Sequence, residues 1–151
     1  MAEYTNNDVQ LVALNTALLF NSSIPCNKGY VLHENEAGNF YLRGCTPNCF
    51  ARYQITFNGN IAIPEGATAI TPIAVAIAVD GETRQVSTAD FVPSAVDIYG
   101  NVTSTAIITI PRNSSRTVSV RYVDATVDDA ATTPTPSIEV KNANLTITRI
   151  A

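Results

Sequence analysis

The stretch Tyr53–Val79, YQITFNGNIAIPEGATAITPIAVAIAV, constrains the fold of this chain more than any other. In its first half Tyr53, Ile55, Phe57, Gly59, Ile61 and Ile63 alternate with Gln54, Thr56, Asn58, Asn60 and Ala62. A period of two marks a β-strand with one face in a core and the other in water, because successive side chains leave the backbone on opposite sides. In the second half Ile73, Val75, Ile77 and Val79 keep the period, but Ala74, Ala76 and Ala78 fill the alternate face. A strand that is apolar on both faces has left water on both sides. In a chain of 151 residues the expected cover for the second face is another copy of the same chain. The expectation is an all-β, oligomeric structural domain, with Tyr53, Ala74, Ala76 and Ala78 at the interface between copies.

The rest of the chain repeats the pattern between turn signals. Leu11–Phe20 is expected to be a strand, since Asn15 and Thr16 break any helical stripe. Short strands are expected over 28–33 and 40–43, around the turn Glu36-Ala37-Gly38-Asn39. Asp80-Gly81 is a strong hairpin signal, because both positions tolerate positive φ, and it predicts a polar partner strand near Arg84–Ser87. Thr103–Ile110, Val118–Tyr122 and Ile138–Ile150 alternate as well, and Asp124–Pro136 is the longest irregular piece. Eight to ten short strands without helices specify a sandwich or a barrel whose edges need protection.

Composition excludes several classes of partner. The net charge is −4, and seven arginines and two lysines lie scattered along the sequence, so no basic stripe for nucleic acid is expected. No apolar run approaches the roughly 20 residues that span a bilayer, and no membrane partner is expected. The start, MAEYTNNDVQLVALNTALLF, has Glu3 and Asp8 where a secretory signal carries basic residues, which sets an expectation of assembly in the cytoplasm. Cys26, Cys45 and Cys49 are an odd set and are expected to be free thiols, although Cys45 and Cys49 flank a turn short enough for a local bridge.

Catalytic groups are sparse. His33 is the one histidine, beside Glu34 and Glu36 in what reads as a solvated turn, and no nucleophile elbow is present. Asp124, Asp128 and Asp129 lack the Gly and the ligand spacing of a dedicated calcium loop, and zinc would need a fourth ligand beside the cysteines. There is no phosphate-cradling loop. No enzyme, metal or cofactor is expected.

The order of elements carries a resemblance. It runs from Ala17-Leu18-Leu19-Phe20-Asn21 through Gly29-Tyr30-Val31-Leu32-His33 and Gly38-Asn39-Phe40-Tyr41-Leu42-Arg43-Gly44 to Ala51–Asn58. Ala76-Ile77-Ala78-Val79-Asp80-Gly81 follows, and Asn142–Ile150 closes the chain. This resembles the tumour-necrosis-factor-like jelly roll, a family that includes complement globular heads, exosporium glycoprotein C-terminal domains and phage proteins of Gram-positive bacteria. The resemblance implies a ten-stranded sandwich over residues 11–151, assembled as a homotrimer with one sheet around the three-fold axis. Without a collagen-like stalk, it implies a bacteriophage virion protein that decorates the capsid exterior or heads a fibre, assembled in the host bacterial cytoplasm. The expected partners are two further copies and a major capsid or other virion protein. Residues 1–10 would then be an arm, with Glu3, Tyr4, Asn6 and Asp8 docking on the capsid. The rival expectation is a carbohydrate- or receptor-binding head for a host surface glycan, with contacts at Asn48 and Phe50 in one loop and at Asp124, Asp128 and Asp129 in another.

Overall fold

In the computed structural model, which describes residues 1–24, 29–125 and 133–151, the alternating stretches are strands. In chain order they are β1 (Ala2–Asn6), β2 (Gln10–Ala13), β3 (Ser22–Ile24), β4 (Val31–His33), β5 (Phe40–Arg43), β6 (Phe50–Ala62) and β7 (Ile73–Val79), then β8 (Glu82–Thr83), β9 (Ala89–Phe91), β10 (Gly100–Pro111), β11 (Ser115–Val123) and β12 (Ser137–Arg149). A 3₁₀ turn at Gln85–Ser87 is the only helical element among the described residues. All pairings are antiparallel.

Two sheets result. The first runs β10-β6-β12-β1-β3, with β2 also paired to β12; the second runs β4-β5-β11-β7-β8, with β9 also on β7. The chain crosses between sheets at the connections β3–β4, β5–β6, β6–β7, β9–β10, β10–β11 and β11–β12, which makes the sandwich a jelly roll. The inward residues follow the period read from the sequence. Tyr53, Ile55, Phe57 and Ile61 of β6 meet Ile73, Val75 and Ile77 of β7 in one core with Phe20, Phe40, Leu42, Tyr122, Leu145 and Ile147. Each such side chain contributes about 1.5–3 kcal/mol by leaving water.

Several local expectations change. Leu11–Phe20 is not one strand: only Gln10–Ala13 is, because Asn15 takes φ 62° and turns the chain across to the second sheet. There Asn15 N–H donates to the Tyr122 carbonyl at 2.9 Å and Leu18 N–H to the Val120 carbonyl at 2.8 Å, which buries Leu18 and Phe20 completely. The Asp80-Gly81 hairpin forms, with φ 51° and 86°, but its return strand is only Glu82–Thr83. Ser87 ends it early: its hydroxyl accepts from Ile77 N–H at 3.0 Å and donates to the Arg84 carbonyl at 2.6 Å, so a side chain takes the place of a ladder rung. The strand expected over 28–33 is Val31–His33, and Lys28 and Cys26 lie outside the described residues.

The expected N-terminal arm is also corrected. β1 lies inside the first sheet between β12 and β3, with Tyr4 opposite Leu145 on one side and Ser23 on the other. Tyr4 is buried, and its ring stands edge-on to His33 at 4.9 Å and to Phe40 at 4.6 Å. The buried Asn6 donates to the Leu19 carbonyl and accepts from Asp8 N–H, both at 3.0 Å. Glu3 takes the Asn144 amide at 2.5 Å, and Asp8 that of Asn21 at 3.3 Å. These residues belong to the sandwich because Ala2, Tyr4 and Asn6 themselves alternate inward.

Candidate functional site

The first sheet turns a polar face outward. On its three longest strands the residues between core positions form rungs: Ile107–Gln54–Thr148, Thr105–Thr56–Thr146, Thr103–Asn58–Asn144 and Asn101–Asn60–Lys141. The rungs are tied to one another. The Thr56 and Thr105 hydroxyls are 2.9 Å apart, Asn58 donates to Thr103 at 2.9 Å, and Asn101 donates to Asn58 at 3.1 Å and to Asn60 at 3.2 Å. Among these twelve positions Lys141 is the one charged residue. Ile107 adds an exposed apolar side chain beside Gln54. At the Lys141 corner the ammonium sits over the Tyr99 ring at 3.9 Å, and the Tyr99 hydroxyl donates to Glu139 at 2.8 Å. Burial, then the Glu139 carboxylate, pushes the Tyr99 hydroxyl up to about 12.

One end of the sandwich is formed by the β5–β6 loop, the β10–β11 turn and the last residues of the chain. Gly44 holds the first two together: its N–H donates to the Ser114 carbonyl at 2.8 Å, and Asn113 N–H returns a bond to its carbonyl at 3.1 Å. Arg112 N–H donates to the Cys49 carbonyl at 2.9 Å, and the Arg149 guanidinium to the Cys45 carbonyl at 2.7 Å. Cys45 and Cys49 are exposed free thiols here, and Asn48 and Phe50 are exposed beside them. Arg52 lies over the Phe50 ring at 4.8 Å and Arg149 over Tyr30 at 4.2 Å. The arginines that look scattered in the sequence therefore gather in space: Arg43, Arg52, Arg112, Arg116 and Arg149 all stand at this end.

The opposite end holds a groove of about 740 Å³, lined by Leu11, the segment Pro64–Thr71 and the segment Thr133–Ser137. Its floor includes Thr71, whose buried hydroxyl has no partner among the described residues. Asp124 is half-buried nearby, where β11 ends opposite the start of β7, while Asp128 and Asp129 lie outside the described residues. Asn48 and Phe50 are thus separated from Asp124 by the length of the strands. β6 alone has 13 residues, roughly 40 Å at about 3.3 Å per residue. Asn48 and Phe50 therefore stand at one end of the sandwich and Asp124, the described residue of the second trio, at the other.

The residues expected between copies are placed elsewhere. Tyr53 is fully buried in the inter-sheet core, and its hydroxyl donates to the Arg43 carbonyl at 2.6 Å. Ala74, Ala76 and Ala78 do face away from that core, yet each is fully buried within the single chain. Ala74 and Ala76 pack with Val123 and Ala125 in a small cluster of their own. The two-sided burial is real, but the chain supplies its own cover. His33 is a half-buried strand residue rather than a solvated one; it stacks on Phe40 at 4.2 Å with Nε2 2.9 Å from the Ala37 carbonyl. Among the described residues no three His, Cys, Asp or Glu side chains stand together as a metal site. The polar rungs were missed because Gln54, Thr56, Asn58 and Asn60 read as an ordinary wet face; only their pairing with Thr103 and Thr105 makes them a continuous surface.

No family model and no curated protein matches the sequence. Solved structures match its fold. The globular domain of zebrafish complement 1qA protein superposes with a TM-score of 0.59 at 10% identity, over 99% of this chain and 97% of that one. Eiger TNF from S. frugiperda superposes with a TM-score of 0.62 at 9% identity, over 100% of this chain and 92% of that one. The chain has the fold these structures share, the TNF/C1q-like jelly roll.

Proposed function

We propose that the protein works by binding and burial rather than by chemistry: it is a trimeric jelly-roll module whose copies meet through the outer face of the first sheet. The observation that carries this reading is the run of twelve rung positions with Lys141 as the single charge. The other charges of this face, Glu3, Arg52 and Glu139, stand around the rungs rather than among them, and a charge-poor centre with a polar rim is the anatomy of a protein interface. Neighbouring Thr and Asn side chains already satisfy one another, so covering them leaves few polar groups without partners. The three-fold arrangement rests on the resemblance described above.

The setting we propose is a virion, with the trimer attached to the outside of a capsid. The rival reading is a carbohydrate- or receptor-binding head, for which Asn48 and Phe50 at one end of the sandwich and Asp124 at the other would be separate contact points. Thr105→Arg tests the assembly face. It puts a charge among the rungs, on β10, without touching the core, so the variant is expected to fold and to stay monomeric. Wild-type assembly by Thr105→Arg would exclude this face. Co-sedimentation of the wild-type protein with undecorated capsids tests the virion setting, and binding on a glycan array without capsid binding would favour the rival.

A further inference from the structure

The fold sorts charge along the sandwich. Arg43, Arg52 and Arg112 are exposed at the β5–β6 end, and none makes an ion pair among the described residues. Arg116 is held by Asp80 at 2.7 Å, and Arg149 is spent on the Cys45 and Ala151 carbonyls and the Tyr30 ring. The other end carries Glu65, Asp90, Asp97, Asp124 and Glu139, placed there by the β6–β7 loop, the start of β7, the Ile63 carbonyl, the end of β11 and the end of β6 respectively. Among the described residues one end thus presents an arginine rim with Asp80 and Glu82 at its edge, and the other end carries those five carboxylates with Lys141 beside Glu139.

We infer that the arginine rim is a docking surface for a carboxylate-rich protein, and that the opposed charge of the two ends orients the molecule as it approaches. This deepens the proposed attachment role and rests on that reading. Three features favour such a partner. The cations at this rim outside the Arg116–Asp80 pair are all arginines, whose planar forks match carboxylates in a way a lysine point charge does not. Phe50 is exposed in the same loop, and Arg and aromatic side chains together are what carry energy at protein interfaces. The arginines also stand around the rim instead of converging on one cleft. Arg43 projects from the second sheet, Arg52 from the first and Arg112 from the turn between them, which suits a broad surface better than a single sugar chain.

The test uses the intact protein on immobilised poly-L-glutamate at about 0.15 M salt, where screening acts beyond roughly 8 Å. Arms carrying dextran sulfate and neutral dextran run in parallel. Binding to poly-L-glutamate is expected, weakening as salt rises. The double variant Arg43→Gln/Arg112→Gln should bind about tenfold more weakly or worse, the low end of what electrostatic focusing supplies. Val86→Glu, a charge change at a position 93% exposed and away from the rim, should bind like wild type. No binding to poly-L-glutamate, or equal binding by the double variant, overturns the inference. Binding to dextran sulfate alone overturns it in favour of an anionic polysaccharide. Arg43 and Arg112 lie off the proposed assembly face, so the native mass of the double variant reports on assembly separately. A monomeric wild type that still binds through the rim would sink the trimer and leave the docking surface standing.

Discussion

At Gly44 a Cβ would run into the Pro111 carbonyl, with the Ile110 side chain and the Ser114 carbonyl close behind. Backbone cannot yield as the end of a flexible side chain does, so Gly44→Ala must push the β5–β6 loop off the β10–β11 turn. A loss of about 1–3 kcal/mol in unfolding free energy is expected, measured by chemical denaturation. Tyr122 makes a second residue-scale prediction. Its hydroxyl donates to the Thr135 carbonyl at 2.7 Å, and burial, then the charge of Asp124, pushes it up to about 12 from 10. A raised phenol means the fold favours the neutral form. That contribution is complete below pH 10 and is lost as the pH climbs from 10 through about 12. Stability should therefore fall across that window, with Tyr99 contributing beside Tyr122, and Tyr122→Phe should make the fall shallower while costing about 1 kcal/mol at neutral pH for the orphaned carbonyl. An unchanged alkaline profile in the variant would remove Tyr122 as its cause.

Among the elements, β1 carries the largest revision. Its five residues are too few to announce themselves beside a polar start, and Ala2-x-Tyr4-x-Asn6 shows its inward period only once Leu145 and Ala143 are known to lie opposite. Removing residues 2–8 takes an internal strand from between β12 and β3, so the truncated chain is expected to unfold or aggregate. A truncated chain as stable as wild type would return these residues to the status of an arm. β6 and β7 were legible for the opposite reason, since the alternation that defines them lies within each strand. What covers Ala74, Ala76 and Ala78 was not legible, because Val123 sits some fifty residues further on and meets Ala74 only through the pairing of β11 with β7. The early stop of the Asp80-Gly81 hairpin depends in the same way on Ser87 folding back to Ile77.

On the scale of the whole molecule, both proposed surfaces are products of non-local pairing. Arg43, Arg52, Arg112 and Arg149 span more than a hundred residues of sequence and meet because two sheet crossings and the end of β12 fall at one end of the sandwich. The polar rungs need β6 and β10 side by side, from segments some fifty residues apart. A charge-poor sheet face and an arginine rim that adjoins it at Arg52 give an assembly that holds itself together through the face and its target through the end of the sandwich. The most direct test is the native mass from light scattering, read for the wild-type chain and Thr105→Arg in the same buffer. The account predicts three times 16.1 kDa for the wild type and a single 16.1 kDa chain for the variant. A wild type that stays at 16.1 kDa at every concentration would contradict it.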